Sequence, residues 1–201
     1  MRIRSAIEVL EWNSDGKETL SDMIQQMIAN LYEQGQIFQG LRIGDRVVRD
    51  GFEEFVKQQA DVSPQTEVVI ESVDETLLMN DIYSDMTGYL PKLIKALDSI
   101  SELLYGQMSN EDWTYFSQLI EGIHWFMSAA HGLRHHIERL RPTSPLLGAL
   151  TRFESEAEER VAELNEALSQ KDYTAAGDQL KYEWSELLLA LQESFGDGGA
   201  L

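Results

Sequence analysis

Residues 74–104 read DETLLMNDIYSDMTGYLPKLIKALDSISELL, and this stretch decides the class of the fold. Apolar side chains recur along it at steps of three and four residues, at Leu78, Ile82, Met86, Leu90, Leu93, Leu97, Ile100 and Leu104. That spacing is typical of an amphipathic helix with one buried face. Gly88 and Pro91 interrupt the pattern. Because proline removes a backbone donor, we predict a kink between Thr87 and Leu90.

The same helical spacing continues over the rest of the chain and is broken at a few short segments. Ser109 and Asp112 have the spacing of a capping box, and Asp172 suits an N-cap. Four helices joined by short breaks favour an antiparallel four-helix bundle over residues 74–195. The glycine-rich residues 196–201 are predicted to form a flexible tail.

Residues 1–73 change hydrophobic period several times and are predicted to form a separate small α/β domain. The patterns give the order β-α-β-β-α-β, with strands near 2–10, 37–43, 46–48 and 66–73 and helices near 20–31 and 51–59. A β-grasp-like unit and a ferredoxin-like unit both fit this order. The short second helix favours the β-grasp, more so if the first strand is a hairpin. The predicted fold class is therefore α+β.

The composition limits the classes of function. The chain has 201 residues, no cysteine and a net charge of −19 at pH 7. A surface this acidic repels phosphate backbones and anionic lipids, so we expect neither a nucleic-acid partner nor a membrane partner. Glu8 and Glu11 fall where a signal peptide needs an apolar core, which predicts a cytoplasmic protein. The sequence has neither a phosphate-binding glycine loop nor a nucleophile elbow, so we predict no enzymatic activity and expect no cofactor.

All four histidines fall on the second helix of the predicted bundle. On a helical projection His124, His131 and His135 lie within roughly 40° of one another, and Glu138 is adjacent. His131 and His135 have the i, i+4 spacing of helical metal ligands, although the HExxH motif is missing. Two interpretations stay open. One is a polar flank hydrogen-bonded to acidic neighbours, and the other is a metal site completed by a carboxylate from another helix.

A second stripe on the same helix lies on a different face from the apolar core stripe. It consists mostly of small residues, at Gly122, Trp125, Ala129, Gly132 and His136. Small residues let another backbone approach closely, and Trp125 would otherwise be a large exposed aromatic side chain. We therefore predict that this helix is contacted on two sides. The second contact is either within the chain or with a partner, which includes a homodimer.

The last predicted helix contains Asp178-Gln-Leu-Lys-Tyr-Glu183, in which we expect a buried Tyr182 with its hydroxyl bonded to a carboxylate. Together with Leu41-Arg-Ile-Gly-Asp-Arg46, this motif resembles a group of uncharacterised bacterial proteins. Those proteins join a small α/β unit to a helical bundle that ends in an Asp-x-Leu-x-Tyr-Glu-like helix. Gly44-Asp45 stands where the group has Asp-Gly. The resemblance implies the architecture and carries no activity.

The leading functional hypothesis is a non-catalytic protein–protein interaction module, acting as an adaptor, a regulatory subunit or a chaperone-like binder. Its interface would form by helix packing, with acidic flanks setting partner choice, through Gly122, Trp125, Ala129, Gly132 and His136. The alternative is a metal-binding protein or metal-dependent enzyme that uses His124, His131, His135 and Glu138. The sequence does not identify the protein partner.

Overall fold

The computed structural model describes residues 2–11, 19–49, 51, 54 and 67–197. It confirms the α+β class, with a small mixed sheet followed by long helices. The chain divides into two compact units, one up to Leu78 and one from Met79 onward. The second unit is almost entirely helical.

The first unit contains a mixed sheet. Its described strands are β1 (Arg2–Arg4), β2 (Val9–Glu11), β3 (Gln36–Ile43), β4 (Arg46–Val48) and β5 (Glu67–Asp74). They lie in the order β2-β1-β5-β3-β4. The central pair β1 and β5 is parallel, and the other neighbouring strands are antiparallel. The short helix predicted near residues 51–59 lies largely outside the described residues.

The prediction of one continuous strand over residues 2–10 is wrong, because this segment folds back as the β1–β2 hairpin. The Ser5 amide donates to the carbonyl of Glu8 at 2.9 Å, and the Ser5 hydroxyl accepts from the Glu8 amide at 3.2 Å. These two bonds close a turn around a serine that is only 8% exposed. Ile3 faces Leu10 across the hairpin, whereas Val9, which one continuous strand would place on the face of Ile3, pairs with Arg4 on the other face.

Helix α1 (Leu20–Glu33) covers one face of the sheet. Thr19 and Asp22 form a reciprocal capping box at its start, and Gly35, at φ +71°, lies just beyond its end. The helix buries a regular apolar face against the strands, and together they form the core of this unit from Ile3, Leu20, Ile24, Met27, Ile28, Leu31, Leu41, Val68 and Ile70. Each fully buried side chain of this kind contributes about 1.5–3 kcal/mol of transfer free energy.

The opposite face of the sheet, here called the outer face, carries charged side chains beside Val9, Val47 and Val69. Strand alternation places there the residues Arg2, Arg4, Glu11, Arg42, Glu67 and Glu71. They form three ion pairs, with nitrogen–oxygen distances of 3.9 Å for Arg2–Glu11, 3.9 Å for Arg4–Glu67 and 2.8 Å for Arg42–Glu71. Each arginine on this face therefore has a partner on a neighbouring strand.

The helices that follow are α2 (Glu75–Leu104), α3 (Asn110–Leu140), α4 (Pro145–Ser169), α5 (Tyr173–Asp178), a π-helical segment (Gln179–Trp184) and α6 (Ser185–Asp197). Helix α2 is unbroken across Gly88 and Pro91. Leu90 and Leu93, close to Pro91 on α2, are at most 2% exposed, so this part of the helix is packed into the interior. Helix α6 extends two residues into the predicted tail, and residues 198–201 lie outside the described part of the chain.

Local signals set the ends of these helices. Ser109 and Asp112 form the predicted capping box, and Asp172 accepts from the amide of Ala175 at 3.0 Å. Pro145 occupies the first turn of α4, whereas the Ser144 side chain makes no capping hydrogen bond. None of the helices in the described residues is both long and apolar enough to cross a bilayer.

Within the helical unit, contacts join the start of one helix to the end of another. Tyr83, near the start of α2, donates from its hydroxyl to the carbonyl of Phe195 near the end of α6, at 2.8 Å. At the other end of α2, Tyr105 bonds to Asp178. Phe126 and Phe153 pack edge to face between α3 and α4, with ring centroids 5.6 Å apart. These contacts fix which faces of α2 and α3 stay exposed.

Candidate functional site

The second stripe of α3 is divided between the interior and the surface. Trp125 is 44% exposed, and Ala129 and Gly132 are half-buried. His136 is only 5% exposed, so it faces the interior and does not belong to an exposed surface. Trp125 is thus the large side chain of this stripe that reaches solvent. The surface available to a partner therefore lies around Trp125 and does not include His136.

Gly122 explains how α2 approaches this stripe. A Cβ atom built on Gly122 would overlap the hydroxyl of Tyr89 from α2, and it would lie 3.8 Å from Leu93. The glycine therefore makes room for the tyrosine ring. Around Gly132, by contrast, a Cβ atom would meet nothing within 4 Å. At Gly122 the second stripe of α3 is thus contacted by α2 of the same chain. At Gly132 the space beside the stripe is open.

Trp125 and Tyr89 form the centre of a groove between α3 and α2. Their rings meet edge to face, with centroids 5.3 Å apart and an interplanar angle of 86°. The groove has a volume of about 500 Å³ and is lined by Ser84, Asp85, Gly88, Tyr89, Lys92 and Trp125. We call these six residues the Trp125 groove. It combines two aromatic rings with one carboxylate and one amine, which suits an occupant that is partly apolar.

At Gly88 the wall of the Trp125 groove has no side chain. The residue is exposed, and a Cβ atom built on it would meet nothing within 4 Å. Pro91 is also exposed and has no amide hydrogen to offer the carbonyl of Thr87, four residues earlier. This stretch of α2 therefore presents bare backbone to solvent beside the two aromatic rings.

The histidine region is organised around an arginine. The Arg134 guanidinium donates from Nε to Glu154 at 2.5 Å and from Nη1 to Glu138 at 2.9 Å. His131 Nδ1 lies 3.2 Å from the other oxygen of Glu154, and His135 Nδ1 lies 3.7 Å from Glu138. The arginine thus pairs with both carboxylates of this region. His131 and His135 each lie within 4 Å of one of them, and Arg134 Nη2 lies 3.0 Å from His135 Nε2.

His124 does not join this group. It lies seven residues before His131, which is about 10 Å along the helix axis. Among the described residues, no group of three or more His, Asp or Glu side chains is arranged to hold a metal ion. The structure thus brings His131 and His135 together, with ring centroids 4.4 Å apart, and places Glu138 beside His135, but His124 lies apart from them.

The motif Asp178–Glu183 overlaps the π-helical segment, which was not predicted from the sequence. Tyr182 is 61% exposed, so the expectation that it is buried is wrong. The tyrosine that bonds a carboxylate is Tyr105, whose hydroxyl donates to Asp178 at 2.6 Å. That hydrogen bond is the main cause that raises the pKa of Tyr105 to about 12. Lys181 pairs with Glu102 nearby.

A signal for the π-helical segment is present in the chain. Ala176, Leu180, Trp184 and Leu188 follow one another at steps of four and are all at most 1% exposed. In a regular α-helix each step of four advances by about 40°, so four such residues would spread over roughly 120°. The wider turn of a π-helix keeps them on one face.

A polar cleft of about 360 Å³ lies beside the π-helical segment, against α4. Arg160 forms part of its wall and donates to Glu163 and Glu183, each at 3.0 Å. Two carboxylates of this cleft, Glu163 and Glu183, are therefore already engaged by a cation of the same chain. The Trp125 groove differs because its central groups are aromatic and exposed.

Comparison with known proteins gives one match. A family model described as Domain of unknown function (DUF8042) matches residues 81–194, which lie within the helical unit. No curated protein and no solved structure matches the chain. The resemblance suggested by Asp178–Glu183 stays a prediction.

Proposed function

Since residues 81–194 are more than half of the chain, the protein belongs to the DUF8042 family, and we propose that it acts as a non-catalytic protein–protein interaction module. In this proposal the Trp125 groove is the binding surface. The exposed Trp125 beside Tyr89 is the observation that carries it. Tryptophan and tyrosine are enriched among the side chains that dominate binding energy at protein interfaces.

The proposed occupant is a helix that lies along the groove. Two long helices, α2 and α3, form its walls, and a helix that packs between two others is a common mode of recognition. The bare backbone at Gly88 lets such a helix come close, and its apolar side chains would cover the two aromatic rings. Asp85 and Lys92 lie at the edge of the groove, where charged side chains contribute more to orientation than to affinity.

The proposal includes an architecture for the helical unit. We infer an antiparallel four-helix bundle in which α5, the π-helical segment and α6 together form the fourth helix. The pairing of Tyr83 with Phe195 and of Tyr105 with Asp178 supports opposite directions for α2 and the fourth helix. In such a bundle α2 and α3 each keep one face for solvent.

We also infer that the first unit is a β-grasp. The strand order β2-β1-β5-β3-β4, with a parallel central pair and one helix across the sheet, supports this inference over the ferredoxin-like alternative.

Photo-crosslinking in the native host tests the proposed surface. A photoreactive residue replaces Ser84, which lies in the groove, and in a control chain it replaces the exposed Ser155 of α4. We expect a light-dependent protein adduct from position 84 and none from position 155. Trp125→Ala should reduce the adduct at least about tenfold without changing helicity, because the ring is half-exposed. Equal adducts at both positions, or none at position 84, would overturn the proposal.

A further inference from the structure

We propose that the occupant of the Trp125 groove is a second copy of this chain, whose α2 crosses α2 of the first copy antiparallel at Gly88. This inference rests on the proposed function and names its partner. It comes from the order of the charged residues along the exposed face of α2.

One face of α2 carries five exposed residues in a single row, Asp81, Asp85, Gly88, Lys92 and Lys95. At 100° per residue they fall within an arc of roughly 80°. The two acidic residues precede the glycine and the two basic residues follow it. We call this row the α2 charge row.

The α2 charge row is complementary to itself. Asp81 and Lys95 each lie seven residues from Gly88, about 10 Å along the axis. Asp85 and Lys92 lie three and four residues from it, about 4.5 and 6 Å away. When two such helices cross antiparallel at Gly88, each aspartate therefore faces a lysine of the other copy. A two-fold axis through the crossing makes every pair occur twice.

Each of the four charged side chains of this row lacks an ion-pair partner among the residues that the structure describes. Neither aspartate and neither lysine forms an ion pair with any described residue. Arg134, Arg152, Arg160 and Lys181 of the same unit all do. An unrelated partner would need a matching order of basic and acidic residues, whereas a second copy has it by symmetry.

Gly88 supplies the close approach that such a crossing needs. Space around it is open, so the partner backbone meets no side chain there. Trp125 and Tyr89 lie beside the crossing, and the two-fold axis places them against the Trp125 groove of the other copy. The net charge of −19 per chain opposes association at long range, but charges farther apart than about 8 Å are largely screened at physiological salt.

Charge reversal tests the register, with the full chain studied by sedimentation velocity. Asp85→Lys places lysine opposite Lys92, and Lys92→Asp places aspartate opposite Asp85. Each single variant should weaken self-association about tenfold, because two attractive pairs become repulsive. The double variant Asp85→Lys/Lys92→Asp should restore it. The single variants shift the net charge in opposite directions, to −17 and −21, so a common loss cannot come from net charge.

Gly88→Leu is the second variant. Its side chain points into open space in the single chain, so the helix should fold normally by circular dichroism while self-association is lost. The control for Asp85→Lys is Glu163→Lys, which makes the same change of charge at an exposed position of α4 and should leave self-association unchanged.

The outcomes separate this inference from the proposed function. A wild-type chain that stays monomeric at about 1 mM, the weak end of specific association, overturns the second copy. So does a dimer that the single reversals leave intact, or a double variant that stays as weak as the single ones. If position 84 still crosslinks to a different protein, the interaction function stands and only its partner changes.

Discussion

The outer face of the sheet and the α2 charge row both carry acidic and basic side chains, but they use them differently. On the sheet, Arg2, Arg4 and Arg42 each have a glutamate on a neighbouring strand within 4 Å. On α2, the aspartates and lysines of the row have no partner among the described residues. The first surface is satisfied by its own chain, and the second has its charges available to another molecule.

This contrast also separates residues within the helical unit. Arg134 is held between two carboxylates, and its side chain is only 16% exposed. Lys92 lies in the open groove wall with no such partner. The sequence shows a basic residue on a helix at both positions. The structure shows that Arg134 is paired within the chain, whereas Lys92 lines an open groove.

The largest expected effect is at Arg134. Arg134→Met should destabilise the protein by about 2 kcal/mol, because it leaves the half-buried Glu154 carboxylate without its cation. Urea unfolding followed by circular dichroism measures the loss. Arg152→Met is the control on a 70% exposed arginine and should cost at most about 0.5 kcal/mol. The double variant Arg134→Met/Glu154→Gln should recover part of the loss, and equal losses in the two single variants would contradict this ranking.

A second effect is expected at Tyr105. Its folded pKa of about 12 lies above the ordinary value of 10.0, so the hydrogen bond to Asp178 stabilises the fold fully below pH 10. That contribution is lost as the pH rises through about 12. The hydrogen bond to Glu111 raises the pKa of Tyr115 as well, so tyrosinate absorbance is titrated in a Tyr115→Phe background, where it should show a late step near pH 12.

Two variants assign that late step. Tyr105→Phe should remove it, and Asp178→Asn should move it to lower pH, because the hydrogen bond to Asp178 is its main cause. A late step that persists in Tyr105→Phe would show that another tyrosine is responsible.

The smallest effects compare the two charged surfaces directly. Arg42→Met removes a pair on the outer face whose side chains are 43% and 36% exposed, so it should cost about 0.5 kcal/mol. Lys92→Met should leave the unfolding free energy of the single chain unchanged within error. If both were neutral, or if Lys92→Met cost more, the distinction between the two surfaces would lose its energetic basis. Chemical denaturation at low protein concentration measures both without a contribution from self-association.

Local patterns made much of the fold predictable. The capping boxes that begin at Thr19 and Ser109 each need only a partner three residues ahead, so both can be predicted from the sequence alone. The spacing also places Trp125 off the apolar stripe of α3, but its 44% exposure could not be predicted, because the sequence leaves open whether a contact within the chain covers it. The β1–β2 hairpin was only an alternative to a single strand, because the turn at Ser5 depends on hydrogen bonds rather than on spacing.

The candidate site needed contacts between distant segments. Tyr89 and Gly122 are 33 positions apart, and nothing in either local pattern says that the ring of one lies over the other. The tyrosine–carboxylate bond was expected at Tyr182 and occurs at Tyr105, whose ring packs against Gly177 at the end of α5, next to Asp178. Pairings of this kind depend on which helix faces lie together, and spacing within one helix does not specify that.

The π-helical segment has a consequence for how the last helix can change. A π turn corresponds to one residue more than a regular helix needs, so deleting a residue between Gln179 and Trp184 would leave a helix of ordinary pitch. Because only the extra residue is removed, the side chains of Leu188, Leu191 and Phe195 would keep their directions and stay in the interior. If the segment instead became regular helix with all its residues kept, every later residue would rotate by about 100°, and these three side chains would leave the interior together. The wide turn therefore keeps the apolar face of α6 aligned with the apolar face that precedes it. A sequence that is one residue shorter here can keep the same interior with a regular helix.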